Sequence, residues 1–212
     1  MAELLLEAPT SFFRNSSRAY DTSAPPDRFT AMPGVGNYRG AKIKTLQQMS
    51  QLKSEYGIKT IINLARDSMY DQDCDGGGEC EPQWANQLGL RYIYIPLGSS
   101  PPSGTEWLEI KQALIDGHAY VHCTHGVDRT GAVGGRWVRE VLGLPNDQLL
   151  DYTHTFGGQW RSEGDPNRKL RDWMLAGQYD SQLAGQLKTF PFWIPLAAGG
   201  TALVAALIYR MR

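Results

Sequence analysis

A chain of 212 residues carrying 21 Lys and Arg against 22 Asp and Glu has a formal charge of −1. That length suffices for one packed α/β domain plus a short extra segment, and the charge balance excludes the broad basic surface that marks binding to nucleic acid or anionic lipid. Three cysteines with no even pairing fit a reducing compartment, although Cys74 and Cys80 could pair with each other.

Residues 1–27 are rich in Ser, Pro and Ala with Arg14 and Arg18 interspersed, the composition of a flexible leader. Leu4, Leu5 and Leu6 are too short a run for a secretory signal, and Glu3 and Glu7 flank them where a basic segment is needed. Patterning begins near Phe29. Leu46, Met49 and Leu52 recur at helical spacing over 45–56, and Gly57 ends that helix. Residues 59–64 read as a buried strand.

A polar loop over 67–82 follows. Asp71, Asp73 and Asp75 with Gly76 begin like a calcium loop, but the position that needs a bidentate Glu is Pro82, with Glu81 one residue early. An acidic rim to a substrate site is the better reading of that stretch. A helix near 84–88 and a strand over 91–95, stopped by Pro96, come next. The Gly, Ser and Pro of 98–104 make a surface loop. A helix over 105–116 leads to a strand over 119–121, and further helices are predicted over 131–142, 146–156 and 167–183. Strands alternating with helices predict an α/β domain with a mainly parallel sheet that binds ligands at its carboxyl ends.

Residues 189–209 contain no charge, and about 20 apolar residues cross a bilayer. Phe190, Phe192 and Trp193 lie at one end and Tyr209 at the other, with Lys188, Arg210 and Arg212 as flanking anchors. The expectation is a transmembrane helix over 189–209: a single-pass C-terminal anchor to a membrane, with the catalytic domain in the cytoplasm. Pro191 and Pro195 favour the alternative, a buried C-terminal helix.

The chemistry concentrates in His122-Cys123-Thr124-His125-Gly126-Val127-Asp128-Arg129-Thr130-Gly131. A strand, a tight loop and a helix N-terminus make an anion cradle, because converging N–H groups and the helix dipole both present positive potential. The same field favours a thiolate at Cys123, hence a nucleophile. Arg129 can grip two phosphate oxygens with its planar fork. The structural alternative for Cys123 is an inert core cysteine.

Cys123, five intervening residues, then Arg129-Thr130-Gly131 resembles the signature of the cysteine-dependent protein tyrosine and dual-specificity phosphatases. Asn37-Tyr38-Arg39-Gly40 and the stretch from Tyr56 to Leu64 are similar to the opening of small bacterial and atypical members. The resemblance spans residues 29–185 and implies a three-layer α/β/α phosphatase domain over 28–185. Cys123 would become a phosphocysteine while Arg129 and the amides of Thr124, His125, Gly126, Val127, Asp128, Arg129 and Thr130 hold the phosphate. Thr130 would hydrogen-bond the thiolate and His122 would support it from behind. No metal or cofactor is implied. The partner is a phosphorylated protein or another phosphomonoester.

The family's usual acid, an Asp on the loop before the motif helix, is missing: 97–102 holds no carboxylate before Glu106. Asp128 is the first candidate, since Cys-x-x-Gly-x-Asp-Arg-Thr resembles the myotubularin-type lipid phosphatases. Its structural alternative is a salt bridge that orients the loop. A carboxylate from 71–81 is a second candidate. Chemistry that needs no acid is the third, and it suits a polynucleotide 5′-triphosphatase like the metazoan capping enzymes, whose loop is also similar. A phosphoinositide phosphatase and a membrane-tethered, phosphate-binding pseudophosphatase are the other readings.

Overall fold

The computed structural model describes residues 24–66, 80–158, 160 and 165–188. Two short strands open the described chain, β1 (Thr30–Ala31) and β2 (Tyr38–Gly40). At two and three residues they are too short to show an alternating pattern in sequence. Helix α1 (Leu46–Tyr56) starts where the Thr45 hydroxyl accepts the Gln48 amide and ends where Gly57 turns left-handed, φ 68°. Then come β3 (Thr60–Asn63), α2 (Cys80–Gln87), β4 (Arg91–Tyr94), α3 (Gly104–Asp116) and β5 (Ala119–His122). Ser103 and Glu106 close a reciprocal capping box at the head of α3.

Helix α4 runs from Asp128 to Leu142, three residues longer at its start than the pattern over 131–142. Asp128, Arg129 and Thr130 therefore sit on its first turn rather than in the loop. Helix α5 is Asn146–His154. The single helix predicted over 167–183 is two, α6 (Arg168–Leu175) and α7 (Ser181–Lys188). The break is a tertiary effect. Arg139 of α4 donates from Nε to Gly177 O at 3.0 Å, and Asp180 restarts the helix by accepting the Leu183 amide at 3.0 Å.

The sheet order is β1-β2-β5-β3-β4. Edge strand β1 is antiparallel to β2, and the other three pairings are parallel. The sheet is thus mixed, with the expected parallel centre. Successive side chains part to opposite faces. Ile62 and Val121 pack with Trp107, Ile110, Leu114, Val133, Trp137 and Leu183, so α3, α4 and α7 cover one face. Ile61 and Tyr120 pack with Met49, Leu52, Ala85 and Leu90, so α1 and α2 cover the other. Helices α5 and α6 lie outside α4 through Leu149, Tyr152 and Met174. Three layers result, as predicted.

The membrane assignment is corrected. No helix among the described residues is long and apolar enough to cross a membrane. The span 189–209 lies outside the described residues, as does the acidic stretch 71–79.

Candidate active site

Cys123 follows β5 directly at the carboxyl end of the sheet and is 2% exposed. From there the chain turns through Thr124, His125, Gly126 and Val127 into α4. The carbonyls from Thr124 to Gly126 are held from distant segments, and that of Val127 by the helix it starts. Thr124 O accepts the Lys42 amide at 3.3 Å, and Val127 O accepts the Gly131 amide at 2.7 Å. His125 O accepts from Arg28 Nη1 at 3.0 Å, and Gly126 O from Arg39 Nη2 at 2.6 Å. In a trans peptide the C=O and the following N–H point opposite ways. Carbonyls turned outward therefore turn the amides of His125, Gly126, Val127 and Asp128 inward, next to the free amides of the α4 N-terminus.

Gly126 makes the turn possible. Its φ is 70°, and a Cβ there would lie 2.5–2.7 Å from Gly40 C, Gly40 O and Ala41 N. Only a residue without a side chain fits against β2 at that point.

Arg129 spans the cradle. Nη1 donates to Leu97 O and Nη2 to Thr124 Oγ1, each at 3.3 Å, linking the first turn of α4 to the loop after β4. Asp128 lies half-buried beside it on the first turn of α4. Burial pushes its carboxyl above the usual range and the charge of Asp165 adds to the rise, with Arg129 and His125 opposing. His125 is exposed, and Val127 is partly so. The Thr130 hydroxyl is buried with no hydrogen-bond partner, so its expected bond to Cys123 is not made in this state.

His122 is fully buried on the α1–α2 face, the opposite side of β5 from Cys123. Its ring stacks on Tyr120, 5.6 Å between centroids. Nε2 lies 3.2 Å from Glu81 Oε2, without hydrogen-bond geometry. Glu81 is tied on every side: Asn63 Nδ2 donates to it at 2.9 Å, Tyr92 OH at 3.1 Å and the Ile43 amide at 3.2 Å.

Asn63, Tyr92, Arg39, Arg28 and Asp165 surround the motif and the sequence reading gave none of them a role, while Glu81, the last carboxylate of the 71–81 stretch offered as a second acid, lies behind His122. Glu81 stood at the end of an acidic stretch, and Arg39 lies 87 positions from the carbonyl it holds. A lone charge inside an otherwise apolar strand was the single available signal for Arg39.

No protein-family model and no curated protein matches the sequence. Solved structures do match. The catalytic core of the PP-IP phosphatase Siw14 from S. cerevisiae has a TM-score of 0.56 at 15% identity, over 82% of this chain and 99% of that one. A cysteine-to-serine variant of TpbA from P. aeruginosa, in complex with pTyr, has 0.52 at 20% identity over 82% and 96%. The fold is that of the atypical dual-specificity phosphatases. PTPMT1 in complex with PI(5)P shares it with a TM-score of 0.50 at 10% identity, over 71% of this chain and 93% of that one.

Proposed function

We propose that the chain is a cysteine-dependent phosphatase hydrolysing phosphomonoesters, with phosphorylated Tyr, Ser or Thr of proteins as substrate. The observation that carries this is the loop whose Thr124, His125 and Gly126 carbonyls are held outward, with Cys123 at its start and Arg129 across it. Such a cradle fits the trigonal PO3 unit of a phosphoryl-transfer transition state, where preorganised donors act most strongly.

In the first step Cys123 Sγ, as thiolate, attacks phosphorus and forms the S–P bond while the bond to the leaving oxygen breaks. Asp128 gives its proton to that oxygen. In the second step water attacks phosphorus, Asp128 takes the water proton, and the S–P bond breaks to return thiolate and inorganic phosphate. Arg129 and the amides of residues 125–130 hold the three equatorial oxygens throughout. His122 backs the thiolate from across the strand.

The pTyr held by TpbA supports the protein substrate, and the PI(5)P held by PTPMT1 supports a phosphoinositide as the second reading. Release of phosphate from phosphotyrosine peptides, PI(5)P, an inositol polyphosphate and triphosphate-ended RNA decides among them. Cys123→Ser is expected to abolish turnover on the true substrate while vanadate still binds. Turnover surviving in that variant overturns the mechanism.

A further inference from the structure

Arg39 is fully buried between β2 and α4. It shares its register with Val121 and so faces α4, where Gly134 makes room; a Cβ there would sit 3.5 Å from Nη1. Nη2 donates to Gly126 O at 2.6 Å, and the guanidinium lies 4.3 Å from the Phe156 ring centroid. Nε and Nη1 are enclosed without a hydrogen-bond partner. Tyr152 OH faces it from α5, pushed up by burial and drawn back by the charge of Arg39 and by its contact with that guanidinium.

Among the described residues no carboxylate lies within ion-pair distance of Arg39, whereas the other buried charges are matched. Glu81 accepts from Asn63, Tyr92 and the Ile43 amide, and Glu140 meets Arg136 at 2.6 Å and Lys111 at 3.0 Å. An enclosed cation with no counter-charge weakens a fold unless something compensates it. The compensating charge that the geometry allows is an anion on the far side of the Gly126–Val127 peptide. A charged donor on Gly126 O also polarises that peptide and sharpens the inward Val127 N–H.

We infer that Arg39 is a positioning residue whose buried charge, acting through the Gly126–Val127 peptide, sets the affinity of the cradle for a phosphate dianion. The inference rests on the proposed function, but its test reads binding of orthovanadate and phosphate and needs no turnover. A wild-type protein that binds vanadate without hydrolysing any phosphoester would defeat the proposed function and leave Arg39 still testable.

Two substitutions separate charge from contact. Arg39→Lys keeps the charge and loses the fork, whereas Arg39→Gln keeps an N–H donor and loses the charge. Vanadate affinity is measured by titration and by the rise in Tm at saturating ligand. We expect Arg39→Gln to bind about tenfold or more weakly, as befits the loss of a full charge in a poorly hydrated site. Its ligand-free Tm should stay at or above that of the wild type. Arg39→Lys should bind within about threefold of wild type, since the monopole remains.

Wild-type affinity in Arg39→Gln overturns the inference, as does an equal loss in both variants, which would assign the effect to packing. Arg39→Met repeats the test if the Gln variant fails to fold. Failure of both neutral variants to fold without ligand overturns it too, because the guanidinium would then belong to the framework.

Discussion

Glu81 Oε2 and His122 Nε2 lie 3.2 Å apart, both buried, beneath the strand that delivers Cys123. The carboxylate also accepts from Asn63, Tyr92 and the Ile43 amide, so its charge is held in place while the ring of His122 is held by it and by Tyr120. Glu81→Ala would leave those donors without an acceptor and is expected to cost about 3–5 kcal/mol of stability. Glu81→Gln keeps an acceptor of the same shape and removes the charge. It should cost only about 1–2 kcal/mol, yet lower kcat about tenfold by loosening the His122 ring behind Cys123. Unchanged kcat in a folded Gln variant would leave Glu81 a structural role only.

Asp128 supplies a pH dependence with a definite sign. Burial and the neighbouring Asp165 charge hold its carboxyl above the ordinary range, so the protonated form persists to higher pH. A general acid works below its folded value, and activity is lost as pH rises through it. Asp128→Asn should flatten that limb and lower kcat on an alkyl phosphate by about 10²–10⁴, with a much smaller loss on an activated aryl phosphate. Asp165→Asn removes one of the upward pushes and should move the limb to lower pH. An unmoved limb in both variants assigns the proton to another group.

Gly126 is the tightest point of the loop. Ala at φ 70° would place a Cβ against the Gly40–Ala41 backbone at 2.5–2.7 Å. The left-handed conformation costs about 1–2 kcal/mol and the overlap about 1–3 more. Gly126→Ala should therefore lower Tm by about 5–15 °C and weaken vanadate binding, because the strain is relieved by moving the cradle amides. A wild-type Tm would mean that β2 can shift aside.

Arg129 reaches Leu97 O and Thr124 Oγ1 at once with two nitrogens of one fork. A lysine ammonium cannot make both bonds and present a flat edge to phosphate. Arg129→Lys is expected to reduce kcat/KM by about 10³ or more, a loss of about 4 kcal/mol in transition-state stabilisation, while Tm changes by a few degrees at most. Thermal melts and steady-state kinetics on the same preparation check both halves.

Much of the layout was legible in the chain. Thr45 and Gly57 bracket α1 as helix caps, the Ile pair of β3 reads as a strand buried on both faces, and the spacing from Cys123 to Arg129 announces the cradle. These are local signals, carried by neighbours in sequence. Where α4 begins was not local. The helix reaches back to Asp128 because the loop carbonyls are fastened by Arg28, Arg39 and Lys42 from distant segments. The break between α6 and α7 likewise follows from Arg139 of α4 taking Gly177 O.

By itself, the sequence put forward Cys123 as the nucleophile and Arg129 as the phosphate grip, laid out the α/β layers and showed no carboxylate on the loop before α3. Only the tertiary structure decided which residues stand behind those positions: Glu81 behind His122, Arg39 behind Gly126 and Asp165 beside Asp128. The physical reason is that hydrophobic period and capping act between residues a few positions apart, whereas a buried charge is placed by whichever strand or helix folds against it.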